Sequence, residues 1–193
     1  MRTRENAQNP FSPKKSEKET HQPLQLLHSD LCGPMNVDSV GGNKYVLTFT
    51  DDYTRYVTAY FIKSNSEVLS KFVEYVTMME NETDLQVRAI RTDNGGEYTS
   101  QYFKKFCADK GVAHQLTNPY TPEQNGVSER LNSTLIESAR SMHIHAKMPL
   151  KVWAEAVNTA VYLHNRSPTS ALKGKTPFES WSGKKPNVSN LKV

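Results

Sequence analysis

Cysteine and long apolar runs are the two features that this chain of 193 residues has least of. Its two cysteines, Cys32 and Cys107, show no paired spacing, so the sequence predicts neither a zinc site nor a disulfide framework. No stretch approaches the ~18 consecutive apolar residues of a membrane span. The first ten residues, MRTRENAQNP, lack the apolar centre of a signal peptide. We therefore expect a protein that is neither secreted nor bound to a membrane.

Neither an unusual composition nor a strong overall charge sets the chain apart. Hydrophobic residues make up 36% and charged residues 23%, which is the mixture of an ordinary globular domain with one sizeable core. The net charge of +4 is concentrated at the ends, since residues 1–20 hold five Lys/Arg and three acids, and residues 173–193 hold five lysines and one acid. The body between them is slightly acidic, so charge alone does not argue for binding of nucleic acid.

Three segments of the chain differ in composition. Residues 1–22 are polar without periodicity, which predicts a flexible lead-in, and residues 167–193 form a basic, Pro/Gly-rich extension that is expected to be mostly irregular. Residues 23–166 alternate β-prone runs with helical periodicities. The predicted order is three strands, helix, strand, helix, strand, a long helix from about Val127 to Met148, and a last helix from Pro149 to about Asn165. This order predicts an α/β fold with a mixed five-stranded sheet flanked by helices.

The stretch RTDNGGEYTS, residues 91–100, places an acidic residue beside a tight turn. Asn94-Gly95 is a strong turn signal, and the run LQVRAI before it has the apolar, β-prone character of a strand. Asp93 is therefore predicted to lie at the open end of a strand. Glu97, four residues further on, is either a plain loop acid or a residue with a role beside Asp93.

Two further acids are predicted to lie on other elements. Asp30 belongs to the first strand and Glu129 to the first turn of the long helix, with 62 residues between Asp30 and Asp93 and 35 between Asp93 and Glu129. Mg²⁺ prefers oxygen ligands, and a pair of such ions needs acids from several elements. Local sequence alone favours a Glu129 that only stabilises the start of its helix and faces water.

Five sequence blocks carry a resemblance to a known family: HSDLCGPM, TFTDDYTRY, RTDNGGEYTS, HQLTNPYTPEQNGVSERLNSTL and KTPFESWSGKKPNVSNLKV. From about Pro23 to Val193 the chain resembles the integrase core of copia-type LTR retrotransposons, a retroviral-type integrase of the DDE superfamily. The resemblance implies a ribonuclease-H-like fold and a DNA integrase that performs 3′-end processing and strand transfer. It also implies that Asp30, Asp93 and Glu129 are catalytic and hold two Mg²⁺ ions, for which Mn²⁺ can substitute.

The resemblance extends to residues expected to touch DNA. The segment PYTPEQNG is similar to the mobile active-site loop of the family, and Asn132 matches a position close to its metal site. The implied DNA-binding residues are Tyr120, Gln124, Asn125, Arg130, Asn132 and Arg140. The implied partners are retrotransposon ends, target DNA and further copies of the chain. The implied location is nuclear during integration and cytoplasmic otherwise.

Departures from the family pattern keep a second hypothesis open. The residues before Cys32 hold no zinc-binding module, so residues 1–22 are interpreted as a remnant of the segment that follows such a module. The chain is accordingly interpreted as a fragment of a larger polyprotein. Leu131 and Ser133 stand where the family often has basic residues, which predicts weaker phosphate binding. The alternative function is a non-catalytic remnant that binds nucleic acid or protein partners.

Two adjacent acids and two histidines are interpreted as structural. Asp51 and Asp52 lie between two β-prone runs, which predicts a hairpin turn. Successive strand side chains point to opposite faces, so this pair cannot easily hold one ion. His28 and His114 each lie alone near a strand and are expected to serve the core or the surface.

Overall fold

A five-stranded sheet forms the centre of the computed structural model, which describes residues 20–117, 122–189 and 191, without the side chains of residues 122–128. The strands are β1 Leu27–Cys32, β2 Tyr45–Asp51, β3 Val57–Ile62, β4 Ala89–Thr92 and β5 Ala113–Leu116. Their order in the sheet is β3-β2-β1-β4-β5. β2 runs antiparallel to β1 and β3, whereas β4 is parallel to β1 and to β5. The predicted mixed sheet is confirmed.

Six α-helices accompany the sheet in the described part of the chain. They are α1 Val68–Thr83, the single turn α2 Gly96–Thr99, α3 Gln101–Lys110, α4 Pro122–His145, α5 Trp153–Arg166 and α6 Pro177–Ser182. Short 3₁₀ turns occupy Asn65–Glu67, Leu150–Val152 and Ser170–Leu172. Within the described ranges no helix combines the length and apolar character needed to cross a membrane.

Two apolar layers cover opposite faces of the sheet. Consecutive strand residues alternate in direction, so Phe49 of β2 faces one layer and Val46 the other. Phe49 stacks on Tyr75 of α1 with ring centroids 4.6 Å apart. The layer with α1 and α3 includes Leu27, Leu47, Ile62, Phe72, Val76 and Phe103. The layer with α4 and α5 includes Val57, Leu135, Ala139, Val157, Ala160 and Val161. α4 therefore lies across the face toward which Val46 and Thr48 point.

The side chain of Asn165 ties α5 to the edge strand β3. Asn165 is only 3% exposed. Its Oδ1 accepts the N–H of Val57 at 2.9 Å, and its Nδ2 donates to the carbonyl of Val57 at 2.8 Å. The amide thus satisfies both backbone groups at the start of an edge strand, which would otherwise be buried without partners.

The long helix α4 begins earlier than its apolar stripe predicted. It starts at Pro122 rather than at about Val127 and ends at His145 rather than at Met148. Residues 122–126, which were expected to continue a loop, are therefore helical. Glu129 is the eighth residue of the helix instead of a first-turn residue, so the helix terminus stabilises its charge less than predicted.

The C-terminal segment is more ordered than its composition predicted. The Thr176 hydroxyl accepts the N–H of Glu179 at 3.0 Å, and Pro177 follows as the first residue of α6. Trp181 of α6 stacks on Tyr56 with centroids 5.4 Å apart. Residues 177–182 thus pack against the body of the fold. The segment boundaries after residues 22 and 166 stay predictions, and residues 1–19 lie outside the described part.

Asp51 and Asp52 have the structural role that the hairpin pattern predicted. Asp51 accepts the N–H groups of Leu24 and Thr54 at 2.8 and 2.7 Å. Burial raises the pKa of Asp51, and these hydrogen bonds only partly oppose it. Asp52 contacts the His28 Nε2 at 3.1 Å and an Arg55 nitrogen at 3.0 Å. Burial alone would raise the pKa of Asp52, but its hydrogen bonds, with the charge of Arg55, hold that pKa well below its usual range.

The two histidines also have structural surroundings. His28 is buried and reaches Asp52, and the Nε2 of His114 lies 3.0 Å from the Thr92 hydroxyl. Burial, with the nearby charge of Lys104, lowers the pKa of His114. Both side chains therefore serve the core, as predicted.

Candidate catalytic site

Asp30 and Asp93 are brought together by the parallel pairing of β1 with β4. Leu27 pairs with Ile90 and His28 with Arg91. Two residues further along, Asp30 is level with Asp93, and neighbouring strands lie about 4.8 Å apart. The sheet thus places two of the predicted acids side by side, one within β1 and the other directly after β4.

The turn after β4 is held on both sides. The Asp93 Oδ1 accepts the N–H of Gly95 at 3.0 Å, and Asn94 Nδ2 donates to the carbonyl of Thr117, just beyond β5, at 2.9 Å. On the other side, the hydroxyls of Tyr98 and Ser29 are 2.9 Å apart, which joins α2 to β1. The position of Asp93 is therefore set by contacts with both neighbouring strands.

Glu129 approaches the same site from α4. Burial raises the pKa of Asp30, and the charges of Asp93 and Glu129 raise it further, while a hydrogen bond from Asn132 opposes them. Both carboxylates are therefore near enough to Asp30 to disfavour its charge. The structure thus brings the three predicted acids, from two strand regions and one helix, to one end of the sheet.

Asn132 lies between these acids and the sheet. Its Nδ2 donates to Asp30 Oδ2 at 2.7 Å, and its Oδ1 accepts the Thr48 hydroxyl at 3.0 Å. The side chain is only 6% exposed. Both ends of the amide are therefore engaged within the protein, and contact of Asn132 with DNA stays a prediction.

The donor set suits a hard divalent cation. Carboxylate oxygens are the ligands that Mg²⁺ prefers. A bound cation would relieve the repulsion from Asp93 and Glu129 that adds to the effect of burial on the pKa of Asp30. Among the described residues, no three His, Cys, Asp or Glu side chains converge closely enough to hold an ion as they stand. The three acids supply the oxygen ligands that such a cation prefers and lie near one another, and their role as ligands stays a prediction.

The remaining predicted DNA contacts divide into three groups. Tyr120 lies outside the described residues, and Gln124 and Asn125 lie in the first turn of α4 with side chains outside the description. Arg130 is exposed beside Glu129. Arg140 is also exposed, but it lines an apolar groove between α4 and α5, and eleven residues of helix place it roughly 16 Å from Glu129 along the axis.

Residues of the site that sequence reasoning missed are Thr48, Ser29 and Tyr98. Thr48 and Ser29 are each 1% exposed, and Tyr98 is fully buried. A signal was available for Thr48, because it lies among the β2 residues that face a helix, where an apolar side chain is the usual choice. Glu97, whose role was left open, has a carboxylate close to that of Asp93, since both would contact a Cβ added at Gly95.

Comparison with protein families decides the relationship. The family model described as integrase core domain matches residues 20–122, which is more than half of the chain. The chain belongs to the integrase core domain family. The match spans Asp30, Asp93 and the whole sheet, and it ends at the first residue of α4.

Relatives within this family are retrotransposon polyproteins. The Pol polyprotein from transposon TNT 1-94 of Nicotiana tabacum is 45% identical over 170 residues, which are 88% of this chain and 13% of the relative. The Pol polyprotein from transposon RE2 of Arabidopsis thaliana is 33% identical over 172 residues, or 89% of this chain and 12% of the relative. The chain spans about an eighth of the length of these curated relatives. The resemblance to copia-type integrase cores is confirmed.

Solved structures confirm the ribonuclease-H-like fold of this integrase core. A chain of the simian T-cell lymphotropic virus intasome in complex with PP2A regulatory subunit B56 gamma superimposes with a TM-score of 0.66 at 19% identity, covering 89% of this chain and 60% of that one. The HTLV-2 integrase catalytic core domain in complex with magnesium gives a TM-score of 0.60 at 20% identity, covering 82% and 96%.

Proposed function

We propose that this integrase core cuts and joins DNA by metal-dependent, in-line phosphoryl transfer, as the core of a retrotransposon integrase. The observation that carries the proposal is that Asp30 and Asp93 lie side by side at one end of the sheet with Glu129 near them, so that burial, together with the charges of Asp93 and Glu129, raises the pKa of Asp30. Carboxyl groups with perturbed pKa values cluster at functional sites. Carboxylates gathered at one end of the sheet repel one another, and a bound cation would offset that repulsion.

Each element of the site has a proposed role. Asp30, Asp93 and Glu129 would hold two Mg²⁺ ions, with Mn²⁺ as a substitute. Bound there, such ions supply activation of the attacking oxygen and stabilisation of the leaving oxygen. Asn132 holds the Asp30 carboxylate in one orientation. The exposed Arg130 would contact a DNA phosphate beside the acids.

DNA is the proposed substrate, as retrotransposon ends and target. Most contacts would go to phosphates, so target choice would be loose. Self-association is proposed as well, and it is supported by the trimeric and dimeric forms in which the HTLV-2 core is described. Work on DNA ends and target implies action in the nucleus after synthesis in the cytoplasm.

The test is cleavage and rejoining of a pre-joined, branched DNA by the purified chain in Mg²⁺ or Mn²⁺. Such a substrate already holds the reacting groups together, so the reaction depends least on other parts of the protein to position the DNA. We expect Asp30→Asn, Asp93→Asn and Glu129→Gln each to abolish the reaction with the fold intact. Glu137→Gln is the matched control, because Glu137 is exposed on the same helix two turns further on, and it should keep activity.

Two outcomes would contradict the proposal. Full activity of any one of the three acid variants would remove that acid from the catalytic set. No activity from a wild-type chain that is folded and binds Mn²⁺ would favour the alternative, a non-catalytic remnant that binds nucleic acid or protein.

A further inference from the structure

A threonine on β2 lies beside Asp30 and Asn132. Thr48 is 1% exposed and pairs directly opposite Asp30 in the antiparallel ladder of β1 and β2. Directly opposite residues share a face of the sheet, and α4 covers that face. Thr48, Asn132 and Asp30 therefore meet at the junction of β2, α4 and β1.

The chemistry of these three groups permits only one hydrogen-bonding direction when Asp30 is ionised. A carboxylate only accepts hydrogen bonds, so the Asn132 amide must present Nδ2 to Asp30, at 2.7 Å. Its Oδ1 then faces Thr48 and needs a donor, which the Thr48 hydroxyl supplies at 3.0 Å. The alternative acceptor for this hydroxyl, the Asp30 carbonyl, is further away at 3.4 Å.

We propose that Thr48 is a positioning residue of the metal site, acting through Asn132 to fix the orientation of the Asp30 carboxylate. The inference rests on the proposed role of Asp30 as a metal ligand. Without the Thr48 donor, the buried Oδ1 of Asn132 loses its partner, so the amide is no longer held from the β2 side and can shift toward another donor. The Asp30 carboxylate, which accepts from the same amide, would shift with it and change its orientation toward the cation.

The same strand offers a matched control. Thr50 lies two residues further along β2 on the same face and is also 1% exposed, but its buried hydroxyl has no hydrogen-bond partner. Thr48→Val and Thr50→Val are therefore the same isosteric change at equal burial. Only Thr48→Val removes a hydroxyl that is hydrogen-bonded to Asn132 and, through Asn132, linked to Asp30.

The experiment measures Mn²⁺ binding by calorimetry and melting temperature without metal. Loss of a group that orients a metal ligand typically weakens metal binding or activity by about 10- to 100-fold. We expect Thr48→Val to weaken Mn²⁺ binding about tenfold. Thr48→Ser, which keeps the hydroxyl, and Thr50→Val should bind as the wild type does. If Thr48→Val does not fold, Thr48→Ala measured against Thr50→Ala makes the same comparison.

A double-mutant cycle tests whether Thr48 acts through Asn132. Adding Thr48→Val to Asn132→Ala should weaken Mn²⁺ binding no further, since the two residues form one chain of hydrogen bonds. A second, independent loss in the double variant would overturn the inference. So would a Thr48→Val variant that binds Mn²⁺ as tightly as Thr50→Val does.

Asp30→Asn separates failure of this inference from failure of the proposed function. If Asp30→Asn abolishes Mn²⁺ binding while Thr48→Val has no effect on it, the positioning role is wrong and the metal site stands. If Asp30→Asn also leaves Mn²⁺ binding unchanged, the metal-ligand role of Asp30 is wrong and the inference falls with it.

Discussion

In the turn after β4, the carboxylates of Asp93 and Glu97 lie close to the backbone of Gly95. A Cβ built on Gly95 would lie 2.6 Å from a carboxylate oxygen of Glu97 and 3.0 Å from Oδ1 of Asp93. The backbone of Gly95 has φ −55° and ψ 147°, which alanine adopts without strain. Gly95→Ala is therefore expected to disturb the carboxylates of the site and not the stability of the fold.

The size of this disturbance follows from contact distances. Unstrained contact between such atoms begins at about 3.5 Å, so Glu97 must retreat by about 0.9 Å and Asp93 by about 0.5 Å. A misplacement of about 1 Å can cost about 100-fold in rate, so half of that at Asp93 predicts a loss of roughly tenfold. The melting temperature should stay the same or rise slightly, because alanine restricts the unfolded chain.

The test compares Gly95→Ala with Gly96→Ala in the rate of reaction on branched DNA and in melting temperature. Gly96 is the matched control, because a Cβ there meets nothing within 4 Å. If Asp93 is the residue that matters, the loss should persist when Glu97→Ala is combined with Gly95→Ala. Equal activity of the two glycine variants would refute the reasoning, and so would a loss of activity that is matched by unfolding.

Three further changes test other parts of the account. Burial and neighbouring charges raise the pKa of Asp30 above its ordinary 3.8, so without metal the folded state binds this proton more tightly than the unfolded state does. The folded state therefore loses stability as pH rises from 3.8 through the raised pKa. Asp30→Asn should melt higher than wild type at pH 7 without metal, and a lower melting temperature would contradict this. Asn165→Leu should lower the free energy of unfolding by about 2–4 kcal/mol because it leaves two backbone groups of β3 buried and unpaired, or roughly 5–15 °C in melting temperature, while Asn158→Leu on the exposed side of α5 should change little. Ser133→Lys, one turn beyond Glu129, should steepen the salt dependence of DNA binding by about one phosphate contact, whereas Ser138→Lys on the opposite side of α4 should leave the slope unchanged.

Local patterns sufficed to predict much of this fold. Apolar, β-prone runs located the five strands, and the Asn94-Gly95 turn located Asp93 at a strand end. The helical stripe of α1 predicted its buried residues Val68, Phe72, Tyr75, Val76 and Met79. These features depend on neighbours within a few residues, which is why a single sequence can reveal them.

The start of α4 and the presence of α6 were harder to predict for different reasons. α4 begins at Pro122, five residues before its apolar stripe, because a helix can extend beyond the face that packs. α6 had usable signals, namely Thr176 before Pro177 and Gly183 after its end. The basic composition of residues 167–193 concealed them.

The link between Thr48, Asn132 and Asp30 could not be predicted from the sequence. Thr48 and Asn132 are 84 residues apart, and Asp30 and Asn132 are 102 apart. Their meeting depends on the register of β1 with β2 and on the rotation of α4 above both strands. No local pattern specifies that rotation, because it results from how side chains of two layers pack together.

The central claim is that Asp30, Asp93 and Glu129 form one divalent-metal site, and crystals grown with Mn²⁺ test it most directly. Anomalous scattering recorded at the manganese edge locates the ion independently of any assay for activity. The account predicts manganese peaks in contact with Asp30 and Asp93, with Glu129 drawn in to complete the ligand set, and none in the Asp93→Asn variant. Manganese bound at another place, or an empty site beside these acids at saturating Mn²⁺, would contradict it.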